Sequence, residues 1–169
     1  MLPAAVDPVT VSVTIDRPRE EVFDYLADIA NHPEFSDHYL ERWRLTREDS
    51  YGQGAGARYR LKRRFNRFAW EDITLVDVRR PYRIVGVGRG GKFNRIKTYS
   101  SWILSPGAGG GTKVEYTTET VPAMFSDRVS EAWGLRGWVK RQSGKALRRL
   151  RIILEDGDER GTRATVAGL

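Results

Sequence analysis

The chain has 169 residues, enough for one domain with a sizeable core, and its 40% apolar content is ordinary for a globular protein. It holds no cysteine, which excludes a disulfide framework, a thiol nucleophile and a cysteine metal site. The net charge is +7 and the pI about 9.9. That balance fits an anionic partner, and it equally fits an arginine-rich composition with no such partner.

No run approaches the ~18 apolar residues of a membrane span. Residues 1–8 are too short for a secretory leader and lack its charged start. A soluble, cytoplasmic protein is the expectation, with 1–8 as an N-terminal tail. Val9, Val11, Val13 and Ile15 alternate with Thr10, Ser12, Thr14 and Asp16, the pattern of a half-buried strand. A helix follows. Asp16 is its candidate N-cap, Pro18 sits in the first turn, and Glu20 and Glu21 suit the positive end of the dipole. Val22, Phe23, Leu26 and Ile29 form its apolar stripe, and Asn31-His32-Pro33-Glu34-Phe35 opens a short second helix.

Strands then come in series. Trp43 and Leu45 alternate with Arg42 and Arg44, and 49–56 is a glycine-containing turn. Tyr59, Leu61, Arg63 and Phe65 alternate with Arg58, Arg60, Lys62 and Arg64, before a hairpin turn at Asn66-Arg67. The next strand, 68–79, has apolar residues on both faces: Trp70 and Val76 on one, Ile73 and Leu75 on the other. Arg80-Pro81 ends it. Strands over 82–88, 94–104 and 112–121 complete a set of seven, and the short connections imply antiparallel neighbours.

From Ser126 to Asp156 the pattern is helical. Leu135, Trp138, Val139, Gln142, Ala146, Leu150 and Ile153 share one face, Ser126 can cap the start, and Gly157 follows the end. Such a length is unusual in a small domain and calls for a broad sheet beneath it. Gly134, Gly137 and Gly144 each cost about 1 kcal/mol relative to alanine inside a helix. They are read as a kink or as close packing on the sheet, with a hinge at a pocket mouth as the functional alternative. Residues 157–169 read as a frayed C-terminal tail, which leaves 9–156 as the domain.

The order strand, two short helices, six strands, long helix resembles the helix-grip fold of the START/Bet v 1-like (SRPBCC) superfamily. The sharpest match is Ile15-Asp16-Arg17-Pro18-Arg19-Glu20-Glu21-Val22-Phe23-Asp24-Tyr25-Leu26-Ala27-Asp28, followed by His32-Pro33-Glu34-Phe35. It is similar to the opening of the bacterial polyketide cyclase/dehydrase and lipid-transport group. Ser105-Pro106 through Gly110-Gly111-Thr112-Lys113-Val114 resembles that group's last hairpin. The resemblance implies an α+β fold, a curved seven-stranded antiparallel sheet wrapped around the C-terminal helix. It also implies a cavity between them for an apolar or aromatic small molecule, lipid or polyketide-like.

Period-two alternation points Trp43, Tyr59, Leu61, Arg63, Trp70, Tyr99 and Trp102 into that cavity, with Trp138 from the helix. They are the candidate ligand-binding residues, against the plainer reading that such rings fill a core. Arg63 has two readings: an ion pair with Asp72, or a group that polarises an enol or carboxylate, as the resemblance to aromatase/cyclases implies. His32 and His38 are the only histidines and read as solvated or capping residues. They make no metal site, no phosphate loop is present, and no cofactor is expected.

Arg58, Arg60, Lys62 and Arg64 on one strand, and Arg136, Lys140, Arg141, Lys145, Arg148 and Arg151 on the helix, form two basic faces. They read as solvated, or as a docking surface for an acidic partner or an anionic membrane. The lack of a nucleic-acid motif argues against nucleic acid. Carrier, cyclase/dehydratase and interaction module stay open as functions, as does the oligomeric state.

Overall fold

The computed structural model describes residues 7–63, 70–121, 135–158 and 160–168. The first alternating segment is strand β1, Val9–Ile15. Helix α1, Arg19–Ala27, buries Val22, Phe23, Leu26 and Ala27. A 3-10 turn, Ile29–Asn31, leads into α2, His32–Ser36. Six strands follow: β2 Leu40–Leu45, β3 Gly56–Leu61, β4 Trp70–Arg79, β5 Arg83–Gly90, β6 Ile96–Pro106 and β7 Thr112–Val121. The long helix α3 is described over Arg136–Asp156.

All seven strands join one antiparallel sheet in the order β1-β7-β6-β5-β4-β3-β2. It curls into a half-barrel, and α3 lies across it, closest to β1 and α2. The helix buries Ser143, Ala146, Leu147, Leu150, Ile153 and Leu154 against the sheet. The architecture is the expected α+β helix-grip. Among the described residues no helix is long and apolar enough to cross a membrane.

Several local expectations are corrected. Asp16 does not cap α1: Pro18 holds that position with no side-chain cap. Instead the Asp16 backbone N–H donates to Glu155 Oε1 at 2.7 Å. Arg17 donates to the Leu154 and Glu155 carbonyls at 2.8 and 2.7 Å, closing the C-terminus of α3 where a cation suits the dipole. The predicted C-cap holds, since Gly157 is left-handed at φ 77° and its N–H reaches the Ile153 carbonyl. Gly137 and Gly144 are not packed on the sheet. A side chain at Gly137 would meet no described atom within 4 Å, and one at Gly144 only the tip of Arg148. The Asn66-Arg67 turn, the Ser126 cap and Gly134 lie outside the described residues.

The C-terminal segment is not frayed over its described part. Gly161 and Ala164 donate to the carbonyls of Glu34 and Ala30, Leu45 donates to Thr165, and Ala164 is buried in the core. Arg163 adds a 2.6 Å pair with Asp28.

Candidate functional site

The inner face of the sheet changes character along its length. On β5 the inward positions run Ile84, Gly86, Gly88, Gly90. On β6 they run Thr98, Ser100, Trp102, Leu104, and on α3 the inward row passes Val139 and Ser143 before Ala146, Leu147 and Leu150. Small residues therefore gather at one end and large ones at the other. The small end leaves a cavity of about 120 Å³, whose walls include Val9, Leu40, Leu61, Ile73, Leu135 and Val139. A second space of about 40 Å³ continues it under Trp43, Trp102 and Phe35. The two share Tyr39, Tyr59, Tyr116, Ser100 and Ser143.

Glu71 of β4 stands on this wall. It is the cross-strand partner of Tyr59 and shares the inner face with Ile73 and Leu75. The glycines of β5 make this possible, because a Cβ on Gly88 would stand 2.7 Å from Glu71 Oε1. With no side chain there, the carboxylate lies over β5 toward Thr98. The residue is partly exposed as a whole, but Oε1 is sealed from solvent and accepts no well-formed hydrogen bond from any described residue. Ser143 Oγ and Trp43 Nε1 are likewise buried without a partner among the described residues.

Burial pushes the Glu71 carboxyl up to about 7; the hydroxyls of Tyr59 and Thr98 favour its ionised form, and the charge of Asp72 opposes it. Burial also pushes Tyr39 up to about 12, and raises Tyr59 and Tyr116 well above the usual phenol range, with the Glu71 charge adding to each. The tyrosines are therefore neutral hydroxyls that can donate hydrogen bonds.

Of the predicted inward residues, Trp43, Tyr59, Leu61 and Trp102 reach these spaces. Trp138 is half-buried beside the cavity and meets Tyr39 edge-on at 6.0 Å. Trp70 and Tyr99 do not point inward. Both lie on the outer face, 39% and 40% exposed, and Trp70 borders an outer groove with Arg44 and Arg58. Tyr99 and Trp102 are three apart on one unbroken strand, so only one can face in. Arg63 is not on a strand at all, since β3 ends at Leu61 and the Arg63 N–H turns back to the Leu61 carbonyl. Asp72 is engaged by Arg58 through two 2.8 Å hydrogen bonds on the outer face, so Arg63 is not its partner.

His32 is buried rather than solvated, and its ring caps a carbonyl in the last turn of α1. It lies between Phe35, Trp43 and Trp102, its Nε2 is 2.8 Å from the Leu26 carbonyl, and burial lowers its pKa. His38 is lowered chiefly by burial as well; its Nε2 faces the Gln142 carbonyl at 3.2 Å and its Nδ1 faces Arg149 at 3.3 Å. Arg149 also pairs with Asp37 and donates to the Glu34 carbonyl, tying α3 to α2. Among the described residues no group of three or more metal-ligating side chains occurs.

Alternation among the strands missed Glu71, Tyr39 and Tyr116. A signal for Glu71 existed in its spacing from Ile73 and Leu75, together with glycines at every second position of β5.

A half-barrel sheet closed by a single long helix, with its cavity at the small-residue end, is the helix-grip arrangement. Residues 8–155 match the model of the polyketide cyclase/dehydrase and lipid transport family, and the chain belongs to that family. The solved structure of the KanY protein is similar, at 18% identity and a TM-score of 0.68, over 89% of this chain and 97% of that one. Truncated norcoclaurine synthase from Thalictrum flavum is similar at 9% identity and a TM-score of 0.67, over 90% and 96%. A Deinococcus radiodurans protein aligns at 18% identity and a TM-score of 0.61, over 90% and 99%. At these identities the likeness is one of fold. No curated protein sequence matches the chain.

Proposed function

We propose that the protein binds an apolar or aromatic small molecule, lipid or polyketide-like, in the space between sheet and α3. The observation that carries this reading is the cavity wall: aliphatic side chains and tyrosine rings around a few polar atoms, the composition of a small-molecule site. Membership of a family described by lipid transport and polyketide cyclisation supports it. Trp43, Tyr59, Leu61 and Trp102 are the expected ligand contacts that also line the space, joined by Tyr39 and Tyr116.

A second reading, cyclase or dehydratase activity, is favoured by one observation: Glu71 and Tyr59 face the same space as an acid and a neutral hydroxyl. Arg63, which lies beyond the end of β3, is not among the residues lining this space. The reading as a charged docking module has less support, because Arg58, Arg60 and Arg151 are engaged by Asp72, Glu41 and Glu155. Native mass spectrometry followed by denaturing extraction tests the main reading. A co-purified acyl or aromatic compound, or uptake of an apolar fluorescent probe, is the expected result. Protein that emerges empty and takes up no probe would overturn it.

A further inference from the structure

Glu71 is a carboxylate at the wall of an apolar space, with one oxygen that no described residue satisfies. A buried carboxylate of this kind either keeps a proton or takes a cation. Among the described residues the groups around it are Tyr59 on β3, Asp72 beside it on β4 but facing outward, Thr98 on β6, Tyr39 before β2 and Tyr116 on β7. All are neutral or negative. The other charged residues of the described lining, Asp7 and Arg136, are exposed, and Arg136 donates to the Asp7 and Pro8 carbonyls at 3.1 and 3.2 Å. Three tyrosine rings share the wall with the carboxylate. Ring faces are negative and attract cations, most strongly where water is scarce.

We propose that the cavity recognises its ligand by a protonated amine, which Glu71 receives among the rings of Tyr39, Tyr59 and Tyr116. This rests on the reading of the cavity as a binding site and narrows it. The ligand is an apolar or aromatic amine, and a molecule whose inner end is a carboxylate, such as a fatty acid, is disfavoured there. Ammonium and carboxylate complete each other's hydrogen bonds, and the apolar remainder fills the space toward Trp43 and Trp102.

Three naphthalene probes with matched bodies test the proposal: 2-naphthylmethylamine, 2-naphthylmethanol and 2-naphthoate, titrated by fluorescence. At pH 8 the amine is expected to bind roughly 10- to 100-fold tighter than the alcohol, the range of a hydrogen bond to a charged group. The naphthoate is expected to bind most weakly. The amine should weaken by up to about tenfold per pH unit below 7 as Glu71 takes its proton, while the alcohol should not. Glu71→Gln should erase the preference for the amine. Gly88→Ala, which sets a methyl against Oε1, should reduce it with Glu71 still present. Thermal melting of both variants separates loss of recognition from loss of fold. If amine and alcohol bind equally and Glu71→Gln changes neither, the amine site is overturned and the cavity stands. If no probe binds, both readings fall.

Discussion

The space between sheet and helix has two ends that differ in kind. At one end His32, Phe35, Trp43 and Trp102 interlock, with ring centroids 5.4 to 6.4 Å apart and mostly edge-on; the His32 imidazole meets a backbone carbonyl, and Trp43 Nε1 is buried without a partner among the described residues. At the other end Tyr39, Glu71, Thr98 and Ser143 surround open volume, and two of their polar atoms lack a partner among the described residues. The backbone is the same sheet and the same helix throughout. The difference is written in side-chain size: Ile84 gives way to three glycines along β5, and Trp102 to Ser100 and Thr98 along β6. A helix-grip domain thus makes core and cavity from one layer, and chooses between them residue by residue.

The comparison breaks most sharply at Trp102, which meets Tyr116 at 4.3 Å and is 6% exposed. Trp102→Ala should cost about 3–5 kcal/mol by denaturant unfolding, since the closed end cannot collapse around the loss. A cost below about 1 kcal/mol would mean that this end is as loose as the other.

At the open end the sign reverses. The folded carboxyl of Glu71 sits near 7 against an ordinary 4.5, so the folded state holds that proton more tightly than the unfolded chain does. Its contribution is present below about 4.5 and is lost as pH rises toward 7. Glu71→Gln should therefore stabilise the ligand-free protein above pH 7, by up to about 3 kcal/mol, and flatten the decline of melting temperature across that window. An unchanged pH profile would show that the carboxylate is already compensated.

Two glycine substitutions sharpen the contrast on a smaller scale. A methyl on Gly86 would stand 2.8 Å from Ser100 Oγ and 2.9 Å from Ile73 Cδ1. Gly86→Ala should cost about 1–3 kcal/mol through overpacking. Gly144, with no described atom closer than the Arg148 tip, should accept alanine and gain about 1 kcal/mol of helix stability. Thermal melts of both variants distinguish a glycine that seats its neighbours from one that packs against nothing.

The order of elements and the long helix were legible because hydrophobic period carries them. Trp43, Leu45, Tyr59 and Leu61 fell on the correct face for the same reason. The site was less legible. On β4 the ring of Trp70 faces out and the charge of Glu71 faces in, so polarity alone inverts the reading of the two. On β6 the inward residues nearest the cavity are Thr98 and Ser100, which look like surface, and they disguised the offset between Tyr99 and Trp102. Arg63 was misplaced because alternation in sequence continued two residues beyond the end of the ladder. Tyr39 lies between elements, where no period reports on orientation. Sites of this sort use polar residues inside, against the pattern that identifies strands.

The sheet order also bears on how the chain reaches this state. β1 is the first strand in sequence, yet among the described residues its neighbour is the last, with Val9 opposite Thr118 and Ile15 opposite Thr112. Its partner exists only after most of the domain has been formed, and a loop of that span is entropically costly to close. Pairings of high sequence separation slow folding, toward the millisecond-to-second range. Until they form, β1 and the matching edge of β7 are both unpaired ladders, the kind of edge that other chains can pair with.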